Sequence, residues 1–151
     1  MISIHQETIR FERFFSVSPQ RLFAAYIDPR ERERWSAPSD TAAVKIENSD
    51  VRTGGTETTR CGARDDLRYR TQVYYHLVEA DRLISFSETL FDGESVLMAA
   101  LITFELHAID GGGTRLVLSD QITSFVGPEG VEGHRLGFSS ALDNLQRRLD
   151  G

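Results

Sequence analysis

The chain has 151 residues, a formal net charge of -6 and a pI near 5.2, enough length for one domain with a core of its own. Hydrophobic residues make up 40% and charged residues 26%, the balance of a soluble globular protein. Nucleic acid and anionic membranes need a positive face, so the acidic balance speaks against both as partners.

The stretch Met1 to Arg13 holds no apolar h-region, so no secretion signal is expected. Thr8 to Val17 places Ile9, Phe11, Arg13, Phe15 and Val17 on one face at period two, which predicts a strand. Ser18-Pro19 reads as an N-cap followed by proline at the first helical position. Leu22, Phe23, Tyr26 and Ile27 share one face of the short helix behind it. Asp28-Pro29 repeats the signal, with Glu31 placed for a capping box. This second short helix carries Arg30-Glu31-Arg32-Glu33-Arg34, then Trp35, the sole tryptophan, and stops near Pro38. Its charges read as a mostly solvated face.

From Thr41 the pattern turns to strands. Thr41 to Asn48 and Thr56 to Ala63 are strands on either side of a turn at Asp50 to Gly55. Tyr69 to Glu79 and Arg82 to Phe91 form a hairpin through Ala80-Asp81. Leu97 to Ile109 and Thr114 to Ser124 form a second, joined through Gly111 to Gly113. After a loop at Gly127, Pro128 and Gly130, the stretch Val131 to Leu149 carries Phe138, Leu142, Leu145 and Leu149 at helical spacing. The order is one strand, two short helices, six strands and a long helix, an α+β chain. Its longest apolar run, Val96 to Ile102, falls far short of the ~20 residues of a membrane-spanning helix. The lone Cys61 excludes an internal disulfide and fits a reducing cytoplasm.

The segment FERFFSVSPQRLFAAYIDPRERERW, followed far downstream by GGGTRLVLSDQ and GFSSALDNL, resembles the START-like (SRPBCC) superfamily. In particular it resembles the branch named after the activator of Hsp90 ATPase, and the likeness runs from about Thr8 to Leu149. The resemblance implies a helix-grip fold: a curved antiparallel sheet of about seven strands around a long C-terminal helix, with a cavity between them. Two positions depart from the pattern at the pocket mouth. Ser36 stands where many members have a second aromatic, and Phe138 where many have Trp, so the ligand is not carried over. Within this fold Trp35 is either a wall of the cavity entrance or plain core.

Little in the chain marks catalysis. His5, His76, His107 and His134 form no HxH, HExxH or His/Cys pairing, so no metal is expected. Cys61 has no sequence neighbour to activate it and reads as a small apolar strand residue. The one constellation with chemistry is Arg13, Glu88 and Asp120, each on the apolar parity of its strand. If that face is the inner one, three charges point inward, where an unpaired charge is costly. Running the first and last strands antiparallel makes an Arg13-Asp120 structural pair reasonable. Glu88 would then lack a cation and be the better candidate for ligand contact or proton transfer. The other reading sends these groups to solvent through strand ends or a bulge. Glu105 and Arg115 have the outward parity and read as a surface cross-strand pair.

These readings lead to a single-domain cytoplasmic protein, monomeric or a homodimer, holding a small apolar or amphipathic ligand without any cofactor. The cavity is expected to be lined by Trp35, Tyr69, Phe86, Met98, Ala100, Ile102 and Phe138, with Glu88 and Asp120 as its polar contacts. Gly137 is expected to bring the last helix close to the sheet, burying Phe138 as its anchor. The alternatives are an enzyme resembling the superfamily's polyketide cyclases, with inward carboxylates (Glu88 and Asp120 the candidates) or Tyr hydroxyls as acid and base, or an activator of an Hsp90-type chaperone. The Arg-for-Lys bias suggests a bacterial source.

Overall fold

The computed structural model describes residues 2–151. Strand β1 (His5–Phe15) is followed by helices α1 (Pro19–Ile27) and α2 (Pro29–Ser36). Six strands come next: β2 (Ala42–Glu47), β3 (Thr56–Ala63), β4 (Asp66–Glu79), β5 (Leu83–Asp92), β6 (Ser95–Ala108) and β7 (Thr114–Ser124). Helix α3 (Pro128–Asp150) closes the chain. The seven strands form one antiparallel sheet in the order β1-β7-β6-β5-β4-β3-β2, a meander whose first strand returns to pair with the last. Helix α3 packs on this sheet at β1 and β7 and meets α2. This is the helix-grip architecture.

Local chemistry explains the two short helices. The Ser18 hydroxyl accepts from the Arg21 amide, and the Asp28 carboxylate from those of Arg30 and Glu31, with a proline opening each helix. Glu31 does not complete a capping box. The Asp28 amide is already donated to the Ala24 carbonyl, and the Glu31 carboxylate instead meets Arg21 at 2.6 Å and Arg148 at 3.3 Å. One carboxylate thereby ties α1, α2 and α3 together.

The strands bury alternate residues as their pattern requires. Met98, Ala100, Ile102, Phe104 and Leu106 of β6 are buried, as are Leu116, Leu118, Asp120, Ile122 and Ser124 of β7. Each large apolar side chain so covered stabilises by roughly 1.5–3 kcal/mol. Irregularities in register lie at Cys61/Ala63, Tyr75/Leu77 and Leu90/Phe91, the kind of interruption at which a strand bends and twists.

Two expectations about α3 fail. The close approach occurs at Gly130, where a Cβ would fall 2.2 Å from the Ser124 Oγ, whereas around Gly137 there is open space. Phe138 is only half-buried, and the anchors of α3 are Val131, Ala141, Leu142 and Leu145. The Glu105–Arg115 surface pair is also absent. The register sets Glu105 opposite Val117 and Arg115 opposite His107. Arg115 meets Glu12 of β1 at 2.8 Å instead, a surface pair of the kind worth little. Among the described residues, no helix is long and apolar enough to cross a membrane.

Candidate functional site

A cavity of about 450 Å³ lies between the inner face of the sheet and helices α2 and α3. Trp35, Tyr69, Phe86, Glu88, Met98 and Phe138 border it. Ala100, Ile102 and Asp120, expected beside them, do not: Ala100 and Ile102 belong to the packed core, and Asp120 is fully buried. Trp35 serves both roles considered for it. It is 3% exposed, sits in the core cluster, donates its indole N–H to the Ala25 carbonyl at 3.0 Å, and still presents a face to the cavity.

Beside His134 and Phe138, which border the cavity from α3, two glycines leave part of its wall without side chains. Gly133 and Gly137, one helical turn apart, both border it, and a Cβ at either would meet nothing within 4 Å. Glycine inside a helix costs roughly 1 kcal/mol relative to alanine. Gly137→Ala is therefore expected to raise stability by about 0.5–1 kcal/mol. With about 2–4 °C per kcal/mol at this chain length, calorimetry should show a Tm gain of a few degrees. A fall in Tm would mean that the space is already filled.

Two charged stations interrupt the apolar wall. At the first, Arg32 reaches into the protein rather than into solvent. It lies three residues before Trp35, so both share the inward face of α2. This corrects the reading of the Arg-Glu alternation as a solvated helix face. Arg32 forms a two-pronged ion pair with Glu57 of β3, its second prong at 3.0 Å, with side chains 7% and 2% exposed. Glu57 also accepts from Ser49 at 2.6 Å and from the Tyr75 hydroxyl at 3.1 Å. The Tyr26 and Tyr75 hydroxyls lie 3.1 Å apart, and the Arg32 guanidinium sits 4.4 Å from the Tyr26 ring centre. Burial pushes the Tyr75 hydroxyl up to about 12, so it stays a neutral donor.

The second station is built on α3. His134 borders the cavity with Nδ1 2.5 Å from Asp120 Oδ2 and Nε2 3.7 Å from Glu88 Oε2. Glu88 and Asp120 stand on β5 and β7 with β6 between them, roughly 10 Å by strand spacing. The imidazole fills that gap. Its Asp120 contact is an ion pair rather than an aligned hydrogen bond, since neither Asp120 oxygen nor Nδ1 has a partner at hydrogen-bond angles. Burial opposes a charge on His134, but contact with Asp120 and Glu88 outweighs it and holds the imidazolium up to about 10.

The expected Arg13–Asp120 pair does not form. The register sets Ile9 opposite Asp120 and Arg13 opposite Leu116. A shift of four residues preserves which face each side chain takes but moves Arg13 roughly 13 Å along the strand. Arg13 instead meets Asp143 of α3 at 2.6 Å. Nor is Glu88 without a cation, because His134 lies beside it.

His134, like Arg32 and Glu57, is a site residue that sequence reasoning missed. Its one signal is that it precedes Phe138 by four, on the same helical stripe, where the two rings now pack edge to face 5.0 Å apart. Cys61 borders the cavity too. Burial first, and then the nearby Glu88 charge, push its thiol up to about 11, away from nucleophilic reactivity. Among the described residues, no group of three or more His, Cys, Asp or Glu is arranged to hold a metal ion.

Comparison with known proteins agrees with this geometry. A protein from Rhizobium loti is 28% identical, with a TM-score of 0.80 over 97% of this chain and 99% of its own. One from Rhizobium leguminosarum is 25% identical, with a TM-score of 0.84 over 99% of this chain and 97% of its own. A protein from Silicibacter pomeroyi described as AHSA1 shares the fold, at 22% identity and a TM-score of 0.78 over 95% of this chain and 97% of its own. No curated protein sequence matches significantly. The model of the family described as Activator of Hsp90 ATPase homolog 1-like protein matches residues 16–150, and the chain therefore belongs to that family.

Proposed function

We propose that this protein binds a small, largely apolar molecule in the cavity between the sheet and α3. One observation carries the reading: Gly133 and Gly137 keep the helix face open opposite an aromatic wall that ordinary side chains would close. Interiors pack densely, and an apolar void forfeits contacts its walls would otherwise make. A volume of about 450 Å³ lies within the usual range for small-ligand sites, and so does an apolar wall with few polar groups. The lone Cys61 and the missing disulfide fit a cytoplasmic setting for this binding.

Native mass spectrometry of the protein recovered from its host's extract tests the proposal. The wild type should carry an additional small-molecule mass. A Gly137→Phe variant, which fills the void from the helix side, should lose that mass while keeping a cooperative melt. Identical ligand-free spectra from both proteins would count against binding.

A further inference from the structure

The two charged stations of the cavity differ in what they leave unsatisfied. Around Arg32 and Glu57 the carboxylate, the guanidinium ends and both tyrosine hydroxyls are bonded to one another. Arg32 Nε lacks a partner but is sealed from both solvent and cavity. At the second station two groups remain open. His134 Nε2 and Glu88 Oε2 stand 3.7 Å apart, beyond hydrogen-bond reach, with side chains 15% and 18% exposed. Both residues border the cavity, and among the described residues neither of these atoms has a hydrogen-bond partner.

Resting on the binding reading above, we propose that the ligand is an apolar molecule bearing a hydroxyl group, which accepts from His134 Nε2–H and donates to Glu88. An oxygen at ordinary hydrogen-bond distance from both atoms, about 2.8 Å, spans a 3.7 Å separation without moving either side chain. The hydroxyl is the one common group that both donates and accepts at a single atom. An ammonium would offer donors only and face the imidazolium. A carboxylate would accept from Nε2–H but meet the Glu88 charge at close range in an apolar surround. Asp120 fixes the tilt of the imidazole from the far side, so Nε2 is the nitrogen left toward the cavity. With the imidazolium held up to about 10, after burial's opposing effect, Nε2 carries its proton at neutral pH.

Three molecules of one skeleton test this by isothermal titration calorimetry: thymol, para-cymene, which lacks only the hydroxyl, and cuminate, which carries a carboxylate. Wild-type protein should bind thymol about tenfold or more tightly than para-cymene, as a hydrogen bond to a charged group implies. Cuminate should bind more weakly than thymol. In Glu88→Leu, with a cooperative melt as the folding control, the thymol to para-cymene ratio should fall toward one. Should that variant not fold, Glu88→Gln gives the same readout, with the ratio reduced several-fold. Para-cymene bound as tightly as thymol by the wild type, or a ratio unchanged in the variants, overturns the hydroxyl assignment and leaves the binding reading standing. No binding of any of the three to the wild type overturns both.

Discussion

Glu57→Ala is expected to lower stability by about 3–5 kcal/mol, because it leaves the Arg32 cation buried without its counterion. The carboxylate is 2% exposed and holds four groups at once: two arms of Arg32, the Ser49 hydroxyl and the Tyr75 hydroxyl. For a chain of this length the loss corresponds to a Tm drop of roughly 6–20 °C, readable by calorimetry. The double change Arg32→Met with Glu57→Leu should recover most of it. Replacing a whole buried pair by apolar groups is often close to neutral, whereas breaking one is not. Such a result would separate the cost of orphaning a charge from the worth of the pair. A Glu57→Ala melt within about 2 °C of wild type would mean that water reaches Arg32.

Stability should fall as pH rises from roughly 6.5 to roughly 10, with His134 as the cause. The folded imidazolium is held up to about 10 against an ordinary value of 6.5. Below about 6.5 both folded and unfolded chains hold the proton, so the ion-pair stabilisation is fully present. Between the two values only the folded chain keeps it, and stability drops by at most ~1.4 kcal/mol per pH unit. Above about 10 the folded state loses it too and the contribution is gone. Urea titrations across this window, wild type against His134→Gln, measure the difference. The buried Cys61 thiol and Tyr75 hydroxyl, pushed up to about 11 and about 12, add their own losses at the alkaline end. Those are common to both proteins and cancel. Parallel curves for the two would show that His134 is neutral at physiological pH and that Asp120 is sustained otherwise.

Arg32 and His134 show how the site escaped a linear reading. In sequence, Arg32 is the middle of a run of alternating charges, and such runs are usually wet. What turns it inward is Glu57, placed 25 residues later on a different strand. His134 shows no spacing to another histidine or cysteine because its partners, Glu88 and Asp120, lie on two strands upstream of it. In both cases the signal for a buried charge is the opposite charge, and nothing local says where that will be.

The sequence by itself determined the elements and the faces of the strands. Proline and capping residues start α1 and α2, glycines mark the turns at Gly54-Gly55 and at Gly111 to Gly113, and period-two burial puts Phe86, Glu88 and Asp120 on the inner face. These are local properties, written in steric preference and alternation, and they survive a register error of an even number of residues. Register itself was decided by the tertiary structure, which set Ile9 rather than Arg13 against Asp120. So was the openness of the cavity. Gly137 reads equally as a point of close contact or as a missing side chain, and only the position of the sheet beneath α3 tells them apart: Gly130 makes the contact, Gly133 and Gly137 leave the space. Periodicity names the face a residue takes, but the distance to what it faces belongs to the assembled fold.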